Sequence, residues 1–374
     1  MVLLSPSSAW SVSLRYALAT RVVFGLVAVL SSWLLMLFEF GPPDTGALDM
    51  WRRWDAHHFL TIAEHGYTAP ESDAHAAAFF PAFPLAVRAV MITGVSAVVA
   101  GLLVATAASV VAGYFLYRLA EREFGPEAAR RAVVYLNVFP TAVFLLAPYS
   151  ESLFLAGAIA SFYFAREGRW HLVGIPAAVA MGARAAGLFL IFGLLFEFLR
   201  QRDFTRLRVG NASISLAVGI LPLLAYGAFL AQAMGDPFEF ITHQREGWGR
   251  TFVGPVASFW NTWNTWDVAS YPTNWLLAWR MEIVAAAAGL AAVIWALTRR
   301  EWGYAAFMGS MLLALVTSTW YYSIPRMLLS MFPIVLFLSE ASERRGAVHE
   351  WLVVGSSAVA TMGVVIYTRG IWFY

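Results

Sequence analysis

About eleven apolar stretches follow one another along the 374 residues, most of them set apart by arginine clusters. A chain in hydrocarbon has no water to satisfy its backbone N–H and C=O groups. It must close those bonds internally, and an α-helix of about 20 residues does so while crossing about 30 Å. The stretches lie near 18–38, 95–117, 131–147, 151–165, 171–184, 186–199, 212–233, 282–298, 303–319, 327–340 and 350–368; those at 171–184 and 186–199 are short for a crossing. Composition leaves no soluble alternative. Hydrophobic residues make up 60% and charged residues 13%, against about a quarter charged in soluble domains. The expected fold is an all-α polytopic membrane protein, a single transmembrane domain over 1–374 with about 11 transmembrane helices.

The segment from Arg15 to Phe38 has the outline of a signal peptide. Its apolar run from Val22 to Phe38 is longer than a usual signal core, and no small-residue cleavage site follows, so it reads as a retained first span. Basic residues concentrate on the cytoplasmic side of membrane proteins. With the N-terminus inside, sixteen of the 25 arginines fall in cytoplasmic loops and eight outside, with Arg184 near the outer end of a span. Two external segments are long, Glu39 to Gly94 and Met234 to Met281. Long ordered loops in compact proteins tend to be functional.

Several chemistries are excluded at once. There is no cysteine, hence no disulfide or thiolate, and every basic residue is arginine, hence no catalytic lysine. A net charge of +2 does not argue for nucleic acid. No HExxH occurs, and the neighbouring His57 and His58 project about 100° apart on a helix, so no protein-held metal and no cofactor are expected. D-x-D, P-loop and G-x-G-x-x-G motifs are absent as well.

The densest polar cluster runs from Trp51 to Tyr67. Apolar residues at Trp51, Trp54, Phe59, Ile62 and Ala63 predict an amphipathic helix at the outer interface, closed by Gly66. Asp55 and His58 share one face of it. Asp55 is a candidate general base for an acceptor hydroxyl; equally, it is a solvated acid paired with Arg52 or Arg53. Pro81 and Pro84 interrupt the next apolar run. At Tyr149-Ser150-Glu151, Ser150 suits a helix cap, but an acid near the membrane edge needs a partner or water. Arg184 stands in an apolar segment at about 2.5–3.5 kcal/mol if at mid-bilayer. Either an anion offsets it or it snorkels to the headgroups. His243, Gln244, Arg245 and Arg250 form a donor-rich stretch suited to sugar hydroxyls or phosphate, or a solvated loop helix. Arg326 opens a late span from outside, toward an anionic ligand or the headgroups.

The blocks Trp54-Asp55-Ala56-x-His58-Phe59-x-x-Ile62-Ala63-x-x-Gly66-Tyr67, Ala78-Phe79-Phe80-Pro81-x-x-Pro84 and Tyr149-Ser150-Glu151-Ser152-Leu153-Phe154, with Gly235-Asp236-Pro237 further on, resemble the PIG-V-like mannosyltransferases, members of the GT-C class of multi-span glycosyltransferases. The resemblance implies a GT-C-type bundle with interfacial helices in the first external loop. It also implies inverting transfer of a mannosyl group from a polyprenyl-phosphate carrier to a lipid or glycan acceptor on the outer face. The base would be Asp55. Arg52, Trp54, His58, Tyr149, Glu151, Arg184, His243, Gln244, Arg245 and Arg326 are the candidate substrate-binding residues, with Arg184, Arg245 and Arg326 as alternatives for the leaving phosphate. The arginine-only chain points to a bacterial-type member in a plasma membrane. The competing reading is a lipid or sugar transporter, which would place polar residues and repeated halves at mid-membrane. A third is an accessory subunit without activity.

Overall fold

The computed structural model describes residues 6–36, 46–202, 211–265, 273–343 and 345–373. Arg206, Arg208, Trp266 and the start of the first external loop (39–45) lie outside the described residues. Among them the chain forms sixteen α-helices: α1 (Pro6–Met36), α2 (Asp55–His65), α3 (Ala82–Met91), α4 (Ala97–Phe124), α5 (Pro126–Asn137), α6 (Glu151–Arg166), α7 (Gly174–Ala183), α8 (Gly187–Arg200), α9 (Asn211–Met234), α10 (Glu239–Trp248), α11 (Pro255–Asn264), α12 (Thr273–Thr298), α13 (Trp302–Val316), α14 (Ile324–Ser330), α15 (Pro333–Glu343) and α16 (Gly346–Thr368). The only pairing of β type among the described residues is an isolated bridge between Phe252 and Ser318.

Each of the eleven apolar stretches contains helix, but they do not all make full crossings. Among the described residues five helices are long and apolar enough to span a membrane, and a bent pair, α14 with α15, turns by 75° at its break. Prolines explain the shortfall. Within 131–147 the helix stops at Asn137, ahead of Pro140. Pro333 opens α15 at the break that follows α14. A ten-residue helix such as α7 reaches only about 15 Å, half the hydrocarbon thickness. Short helices inside a bundle leave recesses, and the ends of α7, α8 and α14 meet at one.

Small residues bring the helices close. A β-carbon on Gly157 of α6 would lie 2.4 Å from the Pro176 carbonyl oxygen and 2.7 Å from the Ala180 nitrogen, so α6 and α7 cross backbone to backbone. Gly101 of α4 leaves the same kind of room for Pro148 and Leu60. At the end of α6 remote from Glu151, Arg166 joins Glu123, Glu197 and Glu301 at 3.3, 3.2 and 2.6 Å. This ties α4, α6, α8 and the start of α13 together where the cytoplasmic arginines were expected.

Candidate active site

The amphipathic helix starts at Asp55, not at Trp51; Asp49–Trp51 is a separate 3-10 turn. Between them Trp54 holds φ 51° and ψ −130°, a positive-φ conformation rare for a tryptophan and costing of order 1–3 kcal/mol. Two buried tyrosines hold this turn. Tyr367 donates its hydroxyl to the carbonyls of Trp51 (3.0 Å) and Arg53 (3.3 Å), and Tyr149 donates to that of Arg53 (3.3 Å). The strained turn aims Asp55 into a cavity of about 430 Å³. Gly66 closes the helix with φ 90°.

Ions line this cavity in an unusual balance. Asp55 accepts a hydrogen bond from Arg326 Nη1 at 2.6 Å. Arg326 also donates to the fully buried Glu151, which accepts in turn from Arg184 at 2.8 Å. The Arg326 guanidinium rests 4.6 Å from the Tyr149 ring centre. Arg184 occupies the break between α7 and α8, so a protein carboxylate offsets its charge. A third guanidinium, Arg250, follows α10 and faces the same cavity near the Tyr322 ring. Among the described residues no carboxylate lies within ion-pair reach of it, and its Nε is buried without a hydrogen-bond partner. Burial lowers the proton affinity of this guanidinium. Three arginines thus share two carboxylates, a surplus that attracts an anion.

Burial would by itself push the Asp55 carboxyl up. Arg326, helped less by His58 and Arg184, outweighs that and holds it below its ordinary value. Burial pulls His58 down against the opposing pull of Asp55 and Asp73. The His58 ring stacks on Phe79 at 4.5 Å, and its Nδ1 lies 3.4 Å from Asp73.

Of the residues named from the sequence, Asp55, Trp54, His58, Tyr149, Arg184, Gln244 and Arg326 line the cavity, with Glu151 beneath its two arginines. Arg52 is elsewhere. It pairs with Glu64 at 2.6 Å and bonds Thr61 at 3.1 Å, away from Asp55. Arg245 is exposed on the far face of α10. His243 accepts the Ala77 N–H at 3.2 Å and so pins α10 to the first loop instead of entering the cavity. Ser150 precedes α6 without a capping side-chain bond. Arg250 stood in the donor-rich stretch but was not singled out; Tyr322, Trp372 and Trp248 also line the cavity. Tyr322 belongs to the aromatic run before Arg326, the one signal that could have found it.

Comparison with known proteins follows the same lines. GPI alpha-1,6-mannosyltransferase 2 of Cricetulus griseus is 37% identical over 161 residues, 40% of this chain and 32% of the relative. That of Homo sapiens is 32% identical over 177 residues, 44% of this chain and 35% of the relative. The matches thus span about a third of those relatives. Among solved structures, ArnT of Cupriavidus metallidurans, bound to undecaprenyl phosphate, aligns over 93% of this chain and 76% of its own with TM-score 0.53 at 14% identity. The Archaeoglobus fulgidus oligosaccharyltransferase in its apo form aligns over 95% and 56% with TM-score 0.50 at 14% identity. These two share the fold, the GT-C bundle anticipated from the sequence. The family model described as mannosyltransferase (PIG-V) matches residues 45–234, half of the chain, a span that holds Asp55, Tyr149, Glu151 and Arg184. This membrane protein belongs to the PIG-V mannosyltransferase family.

Proposed function

We propose that the protein is an inverting glycosyltransferase that moves a mannosyl group from a polyprenyl-phosphate carrier to a hydroxyl of a lipid or glycan acceptor. The reaction would take place on the non-cytoplasmic face of a bacterial plasma membrane. One observation carries this reading: Asp55 shares a cavity with three guanidinium groups, and the same cavity has an apolar wall of Phe189, Met311 and Leu315. A base, an anion site and a greasy wall are what a lipid-phosphate sugar requires.

The chemistry is a single displacement. Asp55 takes the proton of the acceptor hydroxyl while that oxygen bonds to the sugar C1 from the side opposite the phosphate. The C1–O bond to phosphate breaks, and its electron pair leaves on polyprenyl phosphate. Arg184, Arg250 and Arg326 are placed to stabilise the charge that grows there. At rest Arg326 holds Asp55, which weakens it as a base. An anionic donor competes for Arg326, loosens that pair and raises the proton affinity of Asp55 when the acceptor needs it. Asp55 then returns its proton to water. The outer-face assignment rests on the arginine bias, because the cavity is built from segments opposite the arginine-rich loops.

The test is transfer by purified protein in nanodiscs from synthetic polyprenyl-phosphate mannose, with nucleotide-activated mannose in parallel. Transfer from the lipid donor alone, lost in Asp55→Asn, is expected. Transfer from the nucleotide sugar alone, or lipid translocation without transfer, would overturn the reading and, in the second case, favour a transporter.

A further inference from the structure

A carboxylate outside the cavity holds the turn that leads into Arg326. Glu282 lies in α12, inside an apolar span from Leu277 to Thr298, and is fully buried. An acid in such a segment is costly and requires compensation. Its compensation is unusual: each oxygen accepts one backbone N–H, Oε1 from Ser323 and Oε2 from Ile324, both at 2.7 Å. Ser323 is one of the few non-glycine residues with positive φ, at 63°, a conformation that L side chains rarely adopt. The grip of Glu282 therefore falls on the strained residue that starts α14, and Arg326 follows within its first turn. Further bonds hold the approach to this turn. Tyr321 N–H donates to Thr262 at 2.8 Å, and Asn261 donates to the Thr319 carbonyl at 2.7 Å.

We propose that Glu282 is a positioning residue for Arg326. By holding two consecutive N–H groups it fixes the start of α14 and so the reach of the Arg326 guanidinium toward Asp55, Glu151 and the donor anion. Both oxygens must accept, and only a carboxylate of this length does so. Glutamine offers one acceptor and turns an NH₂ group toward the other N–H; aspartate falls one methylene short.

The inference rests on the cavity being a lipid-phosphate-sugar site, and its test keeps the two apart. Glu282→Gln, checked for monodispersity and melting temperature, should lose about ten- to a hundredfold in kcat/KM for polyprenyl-phosphate mannose, with acceptor KM unchanged. In an Arg326→Ala background the same substitution should change nothing beyond about twofold, because its effect passes through Arg326. Ser323→Gly, which adopts the turn without strain, should restore part of the loss in Glu282→Gln. Equal losses in both backgrounds, or unaltered donor kinetics in well-folded Glu282→Gln, would overturn the proposal. If the glutamine variant does not fold, Glu282→Asp is read by the same criteria. Should the wild type transfer from no donor, the reading of the cavity fails; undecaprenyl phosphate binding then still compares Glu282→Gln with wild type, and equal affinities would overturn the role of Glu282.

Discussion

Asp55→Asn separates the two jobs proposed for this carboxylate, general base and ion-pair partner of Arg326. Asparagine keeps the shape of the side chain but removes the proton acceptor. A positioned general base contributes about 10²–10⁴ in rate, or about 2.7–5.4 kcal/mol of barrier. The variant should therefore lose that much in kcat. Donor binding should move the other way. Asp55 sits 2.6 Å from Arg326 Nη1, so a bound phosphate meets a negative charge competing for the same guanidinium. A unit charge about 6 Å away at an effective dielectric of about 20 is worth about 3 kcal/mol as an upper bound. With solvent screening, tightening on the order of tenfold is expected for undecaprenyl phosphate. Folding should survive, because Arg326 keeps Glu151 as its partner. The measurements are single-turnover transfer, titration of undecaprenyl phosphate, and thermal melting of the same preparation. A kcat near wild type removes Asp55 as the base. Weaker phosphate binding in the variant refutes the competition for Arg326.

Four further outcomes are expected. Because Arg326 holds the Asp55 carboxyl down until an anionic donor competes for it, the acid limbs of kcat/KM and donor-saturated kcat should differ: kcat/KM, which reports the free enzyme, stays flat through the ordinary carboxylate range at about pH 3.9 and falls only below it, whereas kcat falls at higher pH. The stability from the Asp55–Arg326 pair is likewise present above that range and lost as pH drops through the lowered value; a fall of kcat/KM between pH 6 and 5 in folded protein would contradict the assignment. Arg250→Ala should weaken undecaprenyl phosphate binding about ten- to a hundredfold while leaving the melting temperature level or higher, since it removes a buried charge with no ion-pair partner among the described residues; unchanged affinity would take Arg250 out of the anion site. Gly157→Val should destabilise the bundle by about 1–3 kcal/mol or more through the α6–α7 contact, read as a lower melting temperature in detergent, and a neutral result would mean that the helices can part freely. Chelation by EDTA should leave transfer intact, because the arginines supply the positive charge that a leaving phosphate needs; loss restored by a divalent ion would refute this.

Much of the bundle was legible because hydropathy reports directly on the solvent each segment meets. Lengths were less so, since Pro140 and Pro333 break helices within runs that stay apolar throughout. Within the site, local periodicity worked where partners lie on one helix. Asp55 and His58 share a face, and Gln244 and Trp248 face the cavity. Arg245, a residue further round, turns away. Pairings across the chain left no local trace: Arg326 reaches Asp55 over 271 residues, while nearby Arg52 turns to Glu64. Glu282 stands at the first position of the expected span 282–298, and no local motif marks it. Its hydrogen-bond partner belongs to a turn 41 residues later.

Arg184 and Arg326 belong to helix ends within the bundle, whereas Arg250 hangs from the segment between α10 and α11. The chamber thus has a floor and a roof with separate attachments. A lipid entering sideways and a hydroxyl entering from water would meet different parts of it. On the proposed reading, changes in the roof that spare Arg250 redirect which hydroxyl is accepted while the ion-paired floor stays the same.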